Sequence, residues 1–409
     1  MRSPPRRSLL LAVVALSAAP GCSSQLVCAA DQTAYEGQCL SLSSDPKNCG
    51  SPGYACPAGQ NCSGGFCCEG TQCTPALYLA CFNDAEVRVA TADLALVGAP
   101  VAVDTGPISL AWLGSSLWVA NSESNTLEPI AVWPPTLGAR VTIPTSGTFS
   151  DLEFLGAWQG LLYASNDVVG SLVVVDPTAV QRVVGEIKLD PVNAYTFPQG
   201  IAFGATTAYV ALNGTDAVAV VDLASQTVAK TIDLSPLASP GARAMPSRLV
   251  LAGARLYVTL WNLNPDDFTP GGDGLLAVID TTTNSVAAGT NPVDLGPGCL
   301  DPGGIALHNG TLYVTCGFFA YNSNVVTGNG IVAVDVSGTS PVVGKPVPTP
   351  GAAPGAIAFC GEIAYVGDRA SGAVLKFDPT QSAVTAEAVL CGAPPTGGST
   401  YVADVTCGQ

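Results

Sequence analysis

The chain has 409 residues, with 15 basic and 31 acidic side chains and a formal charge of −16. That acidity excludes a nucleic-acid surface or one that docks on anionic lipid through a basic patch. Only 11 % of residues are charged, while 45 Gly, 32 Pro and 15 Cys are present, a composition that excludes a helical protein and fits a turn-rich, exported β protein.

In chain order, Arg2, Arg6 and Arg7 precede the apolar run Leu9–Leu16, and the small residues Ser17, Ala18, Ala19 and Gly21 follow. A basic start, a short apolar centre and a small-residue end describe a secretory signal peptide over residues 1–21. The run is too short to span a bilayer, which takes roughly 18 apolar residues or more. Ala18-Ala19-Pro20-Gly21-Cys22 resembles the lipobox of bacterial lipoproteins, although Pro20 departs from the usual pattern. The resemblance implies acylation of Cys22, a tether over residues 22–27, and an outer-membrane or cell-surface location, Ser23 leaning to the outer membrane. The alternative is a secreted or periplasmic protein with Cys22 in a disulfide. Cleavage before Cys22 removes three Arg and takes the net charge to −19.

Residues 28–75 hold Cys28, Cys39, Cys49, Cys56, Cys62, Cys67, Cys68 and Cys73 among Gly, Ser and Asn. So few large apolar residues cannot form a core. Four disulfides at roughly 3 kcal/mol each can replace one. Sequence does not choose among the 105 ways of pairing eight Cys. Zinc is disfavoured, because the segment has no His and an exported chain oxidises its thiols. Asp45-Pro46-Lys47-Asn48-Cys49-Gly50, Cys56-Pro57, Gly59-Gln60, Cys62 and Gly65-Phe66-Cys67 resemble the Cys-rich module of the stigma-specific protein family. Pro52 stands where that family has another Cys, and the adjacent Cys68 is a candidate replacement. The resemblance implies a compact extracellular knot, not chemistry.

The remainder, residues 76–409, is repetitive. The most complete copy is Pro198–Leu234, with strands at Ile201–Phe203, Tyr209–Leu212, Ala217–Val221 and Val228–Leu234. Alternation and β-branched content argue for strand. An aromatic residue opens each second strand, at Tyr78, Trp118, Tyr163, Tyr209, Tyr257, Tyr313 and Tyr365, at intervals of 40 to 56 residues. Periods of this size with four strands each predict an all-β, seven-bladed β-propeller. The first copy lacks its inner strand and one strand is left over at Tyr401–Thr406, so the C-terminal strand is predicted to pair with Leu77–Phe82 and close blade 1. Closure removes the open sheet edge. The six remaining Cys are expected in disulfides: Cys81 with Cys407, Cys299 with Cys316, and Cys360 with Cys391.

The pattern of an apolar strand, Tyr-Val-Ala/Thr and a closing Val-Asp resembles the YVTN/NHL-type seven-bladed propellers, bacterial surface and secreted proteins. It covers roughly residues 76–409. The resemblance implies the fold but no single activity, since one fold hosts many functions. Related propellers include lactonases, gluconolactonase-like metal hydrolases and streptogramin lyases.

Candidate chemistry is sparse. Asp176, Asp222, Asp280, Asp335 and Asp378 recur at strand ends, where Asp accepts bonds from the following turn. His308, the single His, sits beside Asn309-Gly310 in a hairpin turn. No Ser-His-Asp, Cys-His or multi-His set is possible. Glu153 is the one carboxylate noted on an inner strand and Arg248 the one cation beside another, too few for metal hydrolysis. Function is therefore expected on loops. Blade 5 offers Trp261, Asn262, Asn264, Asp266, Asp267 and Phe268. Blade 6 offers Phe318, Phe319, Tyr321 and Asn322, and blade 4 is entered through Asn193–Phe197. Aromatics among Asn and Asp suit recognition of a protein or glycan. The expected function is a monomeric, membrane-anchored binding or scaffold protein without cofactor, more a binder than an enzyme. The alternatives are a lactonase-like hydrolase or lyase, and a calcium-stabilised protein using Asn264, Asp266, Asp267 and Asp273.

Overall fold

The structure is a computed structural model. It describes residues 77–96, 100–132, 135–144, 151–190, 192–193, 195–317, 329–350, 352–392 and 400–408, with short stretches between 33 and 73. Cys22 and the signal-like segment lie outside these residues, as do Phe318, Phe319, Tyr321 and Asn322.

Seven antiparallel sheets form the blades. Blade 4 shows the local logic: Pro198–Phe203, Thr207–Leu212, Ala217–Asp222 and Thr227–Asp233 pair in sequence order. Gly204 and the Asn213–Thr215 turn reverse the chain where no side chain favours continuing a strand. The first three strands carry the buried side chains. The outermost is mostly exposed, with Ile232 its one buried residue, because its outer edge meets water. The aromatics predicted to mark the blades, Tyr78, Trp118, Tyr163, Tyr209, Tyr257, Tyr313 and Tyr365, are all buried. They lie in six apolar clusters, most of them joining residues of neighbouring blades. A single blade is too thin to cover its own faces, so the core lies between blades.

Blade 1 is closed as the sequence predicts. Val402–Cys407 forms its inner strand and pairs with Leu77–Cys81, followed by Glu86–Ala90 and Val101–Ala102. The closing strand is tied to blade 2 as well. Asp404 Oδ2 accepts from Leu110 N at 2.8 Å and Ser109 Oγ at 3.3 Å, and Trp112 Nε1 donates to the Cys407 carbonyl at 2.7 Å.

Two expected disulfides are corrected. Cys81 bonds Cys391 and Cys360 bonds Cys407, while Cys299 bonds Cys316. The register gives the reason. Cys81 lies opposite Val402, whereas Cys407 lies opposite Leu77, at the other end of the same strand pair. Likewise Cys360 ends the inner strand of blade 7 at the Ile363 turn, while Cys391 follows Val389, which pairs with Ala373 at the other end. Both disulfides therefore cross from blade 7 to blade 1.

In the N-terminal module Cys49 bonds Cys62, and Cys39, Cys56 and Cys68 are also disulfide-bonded. Short strands Thr33–Tyr35 and Gln38–Leu40 pair, as do Asn61–Ser63, Phe66–Glu69 and Gln72–Cys73. These bonds belong to an oxidising, non-cytoplasmic compartment. Among the described residues no helix is long and apolar enough to cross a membrane.

The channel mouth as candidate functional site

The repeat places two residues of each blade at one end of the central channel. One precedes the inner strand; the other follows the second strand. Their backbones meet in a recurring hydrogen bond: Ser122 N to Gly106 O, Asp167 N to Asp151 O, Asn213 N to Phe197 O, Trp261 N to Met245 O, Arg369 N to Ala353 O, and Phe82 N to Tyr401 O, at 2.7–3.2 Å. Blade 6 varies the theme, with Gly317 N bonded to Leu300 O at 2.6 Å. Four of the inner strands begin at Pro, at Pro107, Pro198, Pro246 and Pro354, and Pro302 stands three residues before a fifth, Ile305–His308. The residue before the Pro is left-handed in four of these, at Gly106, Phe197, Met245 and Asp301. Holding non-Gly residues there takes local strain, which the packed ring sustains.

Ring positions free of a packing task carry side chains that face the channel. They enclose a cavity of about 350 Å³ with contributions from six blades, at the small end of ligand pockets, which span roughly 300–1,000 Å³. Phe82 and Tyr401 stack at 4.8 Å and 15°, and the Arg369 guanidinium lies 4.7 Å from the Tyr401 ring centre. Phe197 and Trp261 form another wall, and Tyr195, 70 % exposed, extends it outward at 6.2 Å from Phe197.

Blade 3 supplies the acidic side. Asp151, Glu153 and Asp167 bring carboxylate oxygens within 4.8 Å of one another. The Ser122 hydroxyl donates to Asp151. Burial, reinforced by the neighbouring acids, raises the Glu153 carboxyl to about 7 and that of Asp167 to about 8. Burial and then Glu123 raise Asp151. Arg248 and Arg369 act in the opposite sense on Glu153 without reversing the shift. One layer deeper, Arg248 and Asp404 line a narrower space of about 30 Å³. Arg248 lies 5.4 Å over the Phe154 ring and donates to Gln199 Oε1 at 3.4 Å. Burial raises Asp404 to about 6 against its hydrogen bonds from Leu110 and Val405 and the charge of Arg248.

The expectation that the inner strands lack convergent ionisable groups is therefore corrected. Glu153 has Asp151 and Asp167 beside it, one preceding the inner strand and one following the second. Strand interiors do not reveal them, because Asp151 and Asp167 flank the strands, at the two paired ring positions of blade 3.

The loop residues separate. Trp261 lines the cavity. Asn262 does not: it is fully buried, donating Nδ2 to Ser239 Oγ at 2.8 Å and Asp273 O at 2.9 Å, and accepting from Ser239 N at 2.9 Å. Asn264 accepts from Asp266 N at 3.1 Å, and Asp267 from Thr269 N and Oγ1 at 3.0 and 2.7 Å, so both brace the loop. Phe268 is 58 % exposed and does not line the cavity. Among the described residues the acids that converge are those of blade 3, and not Asp266, Asp267 and Asp273 of the proposed calcium loop. A second convergent group, Cys81, Asp84 and Cys391, is no ligand set, because its thiols are joined.

The repeated strand-end Asp are turn acceptors, as predicted. Asp176, Asp280 and Asp378 accept from Thr178, Thr282 and Thr380, and Asp222 and Asp335 from Ser225 and Ser337; these bonds lower their pKa values. His308 stands at the far end of the blade 6 inner strand, stacked 4.2 Å from Phe359 and 2.9 Å from Glu362 Oε2.

No protein-family model and no curated protein matches the chain. The resemblances to the YVTN/NHL propellers and to the stigma-specific module rest on their motifs. Solved structures do match in shape. A protein from Lactobacillus plantarum aligns at TM-score 0.60 and 12 % identity over 82 % of this chain and 99 % of its own. A streptogramin B lyase aligns at 0.56 and 17 %, over 77 % and 88 %. Hydrazine synthase of Kuenenia stuttgartiensis aligns at 0.56 and 17 %, over 74 % and 94 %. Identities this low, among proteins of such different activity, establish the β-propeller fold and nothing of the chemistry at the mouth.

Proposed function

We propose that this chain is an exported recognition protein whose ligand enters the mouth of the propeller channel. The observation that carries the reading is the cavity itself. It has aromatic walls on blades 1, 4 and 5, acids on blade 3 and a guanidinium on blade 7. Aromatic surface supplies apolar contact at low conformational cost, and a few polar groups fix orientation. The exposed Tyr195 and Phe268 widen this into a face suited to a larger protein or glycan partner. The signal-like segment, the Cys22 lipobox and the disulfides support a place at the cell surface, with Cys22 as anchor, the Cys-rich module as spacer and the propeller as platform of YVTN/NHL type.

Binding is favoured by the aromatic walls of the cavity; the clustered acids of blade 3 do not by themselves argue against turnover, since close carboxyl pairs serve as acid and base elsewhere. Hydrolysis needs an acid and a base or nucleophile disposed about the scissile bond. One observation favours the second reading, a hydrolase or lyase: carboxyls held near 7 and 8 can transfer protons at neutral pH. A thermal-shift screen against glycans, peptides, small metabolites and metal salts separates the two. A ligand of the mouth raises the midpoint of the wild type and not of Trp261→Ala. A ligand whose shift survives that change binds elsewhere and sinks the reading. Product formation that disappears in Glu153→Gln would establish the enzyme instead.

A further inference from the structure

We infer that the mouth takes an uncharged sugar, stacked between its aromatic walls and held through its hydroxyls by Gln199 and the carboxyls of blade 3. The inference rests on the proposed mouth site and names its ligand class.

Gln199 supplies the decisive observation. It is only 6 % exposed, yet it lines the cavity. Its Oε1 accepts one long hydrogen bond of 3.4 Å from Arg248 Nη1, and among the described residues its Nε2 donates to no acceptor. Nε2 is open to the cavity, where a ligand or water completes its hydrogen bond. This donor faces the same space as Asp151, Glu153 and Asp167, which are acceptors when ionised. A ligand that satisfies both must accept and donate over a short distance, as a hydroxyl does and a metal ion or ammonium does not.

The simpler reading, that three converging acids call for a cation, is a distinct outcome of the test below, because a bound cation would itself ionise the group. Burial keeps protons on Glu153 and Asp167 near neutral pH, and Arg248 and Arg369 lie within range of the group. The floor thus offers a mixture of protonated and ionised carboxyls, an amide and the Ser122 hydroxyl. An acidic sugar is disfavoured, because three carboxyls and a single guanidinium, that of Arg369, line the cavity, and a further carboxylate adds to the acidic excess. The Phe82–Tyr401 stack on one side and Phe197 with Trp261 on another are flat apolar surfaces that suit the C–H faces of a pyranose ring.

The test uses the purified full chain and two readouts. The first is an array of neutral, sialylated and uronate-terminated oligosaccharides, with titration calorimetry on the hits. The second is the change in Trp261 emission, isolated by comparison with Trp261→Phe, on adding neutral sugar, calcium chloride or an alkylammonium salt. Neutral sugars should bind at least 10-fold more tightly than their uronate counterparts. Trp261→Ala and Gln199→Leu should each weaken them 10-fold or more, with Gln199→Glu failing to restore affinity. Array silence for neutral sugars overturns the inference. So does a Trp261 response to calcium or alkylammonium without one to sugar, but that result leaves the mouth as a binding site. Sugar binding indifferent to both Trp261→Ala and Gln199→Leu overturns the inference and the mouth reading together.

Discussion

The two disulfides between blades 7 and 1 close the ring covalently, and their value follows from the chain they enclose. Cys81–Cys391 spans 310 residues, Cys360–Cys407 spans 47, and Cys299–Cys316 within blade 6 spans 17. In the chain-entropy account, cross-linking removes entropy from the unfolded chain that grows with the logarithm of loop length. That gives about 5.7, 4.0 and 3.1 kcal/mol at 25 °C for these loops taken singly. The informative perturbation is Cys81→Ser with Cys391→Ser, compared with Cys299→Ser with Cys316→Ser. All four sulfurs belong to fully buried residues, so the cost of burying hydroxyls is similar in both variants. The difference that remains is topological, about 2.6 kcal/mol against the seam variant while Cys360–Cys407 is kept; that shorter link shares part of the constraint, so the figure is an upper bound. Guanidinium unfolding under non-reducing conditions measures it. Free energies should be compared, not midpoints, because the uncrosslinked unfolded chain expands and steepens the transition. If the blade 6 variant loses as much as the seam variant, or more, the long loop does not set the stability and the covalent-closure argument fails.

Stability should fall as pH rises from about 4 to 8 through three buried acids. Burial raises Glu153 and Asp301 to about 7 and Asp167 to about 8, so the folded chain holds protons that the unfolded chain releases near 4. Their contribution is complete below the unfolded value and lost as pH passes the folded ones. Thermal midpoints at pH 5 and 8.5 measure it, and Asp167→Asn with Glu153→Gln should flatten the difference; an unchanged slope would contradict the assignment. Gly304→Ala should destabilise by roughly 1–3 kcal/mol, because its Cβ would stand 2.3 Å from the Gly355 carbonyl oxygen of the adjacent inner strand. Urea unfolding tests that, and a neutral result would mean the two inner strands separate without cost. Cys22→Ser should move the protein from the membrane to the soluble fraction; retention after a high-salt wash would refute lipid anchoring.

The fold was legible because the repeat states it seven times. The marker residues Tyr78 to Tyr365 are buried for the same reason in each copy, and the unpaired strand at the C-terminus has a single vacancy to fill. Disulfide pairing was less legible. It depends on which end of a strand a Cys occupies, and antiparallel register places Cys81 opposite Val402 instead of Cys407. The site was mostly hidden. Asp151 is separated from Asp167 by a whole hairpin, and only their backbone bond at 2.7 Å reveals that they share one position in the ring. Asn262 misled in the other direction. A polar residue in a long loop reads as exposed, but this one is the internal brace of that loop.

Recognition at the channel mouth is best tested by a crystal structure of the chain with a neutral oligosaccharide. Density is expected between Trp261 and the Tyr401–Phe82 stack, with a hydroxyl oxygen within 3.2 Å or so of Gln199 Nε2. Density confined to the surface beside Phe268, or to the far end of the channel near His308, would contradict recognition at the mouth.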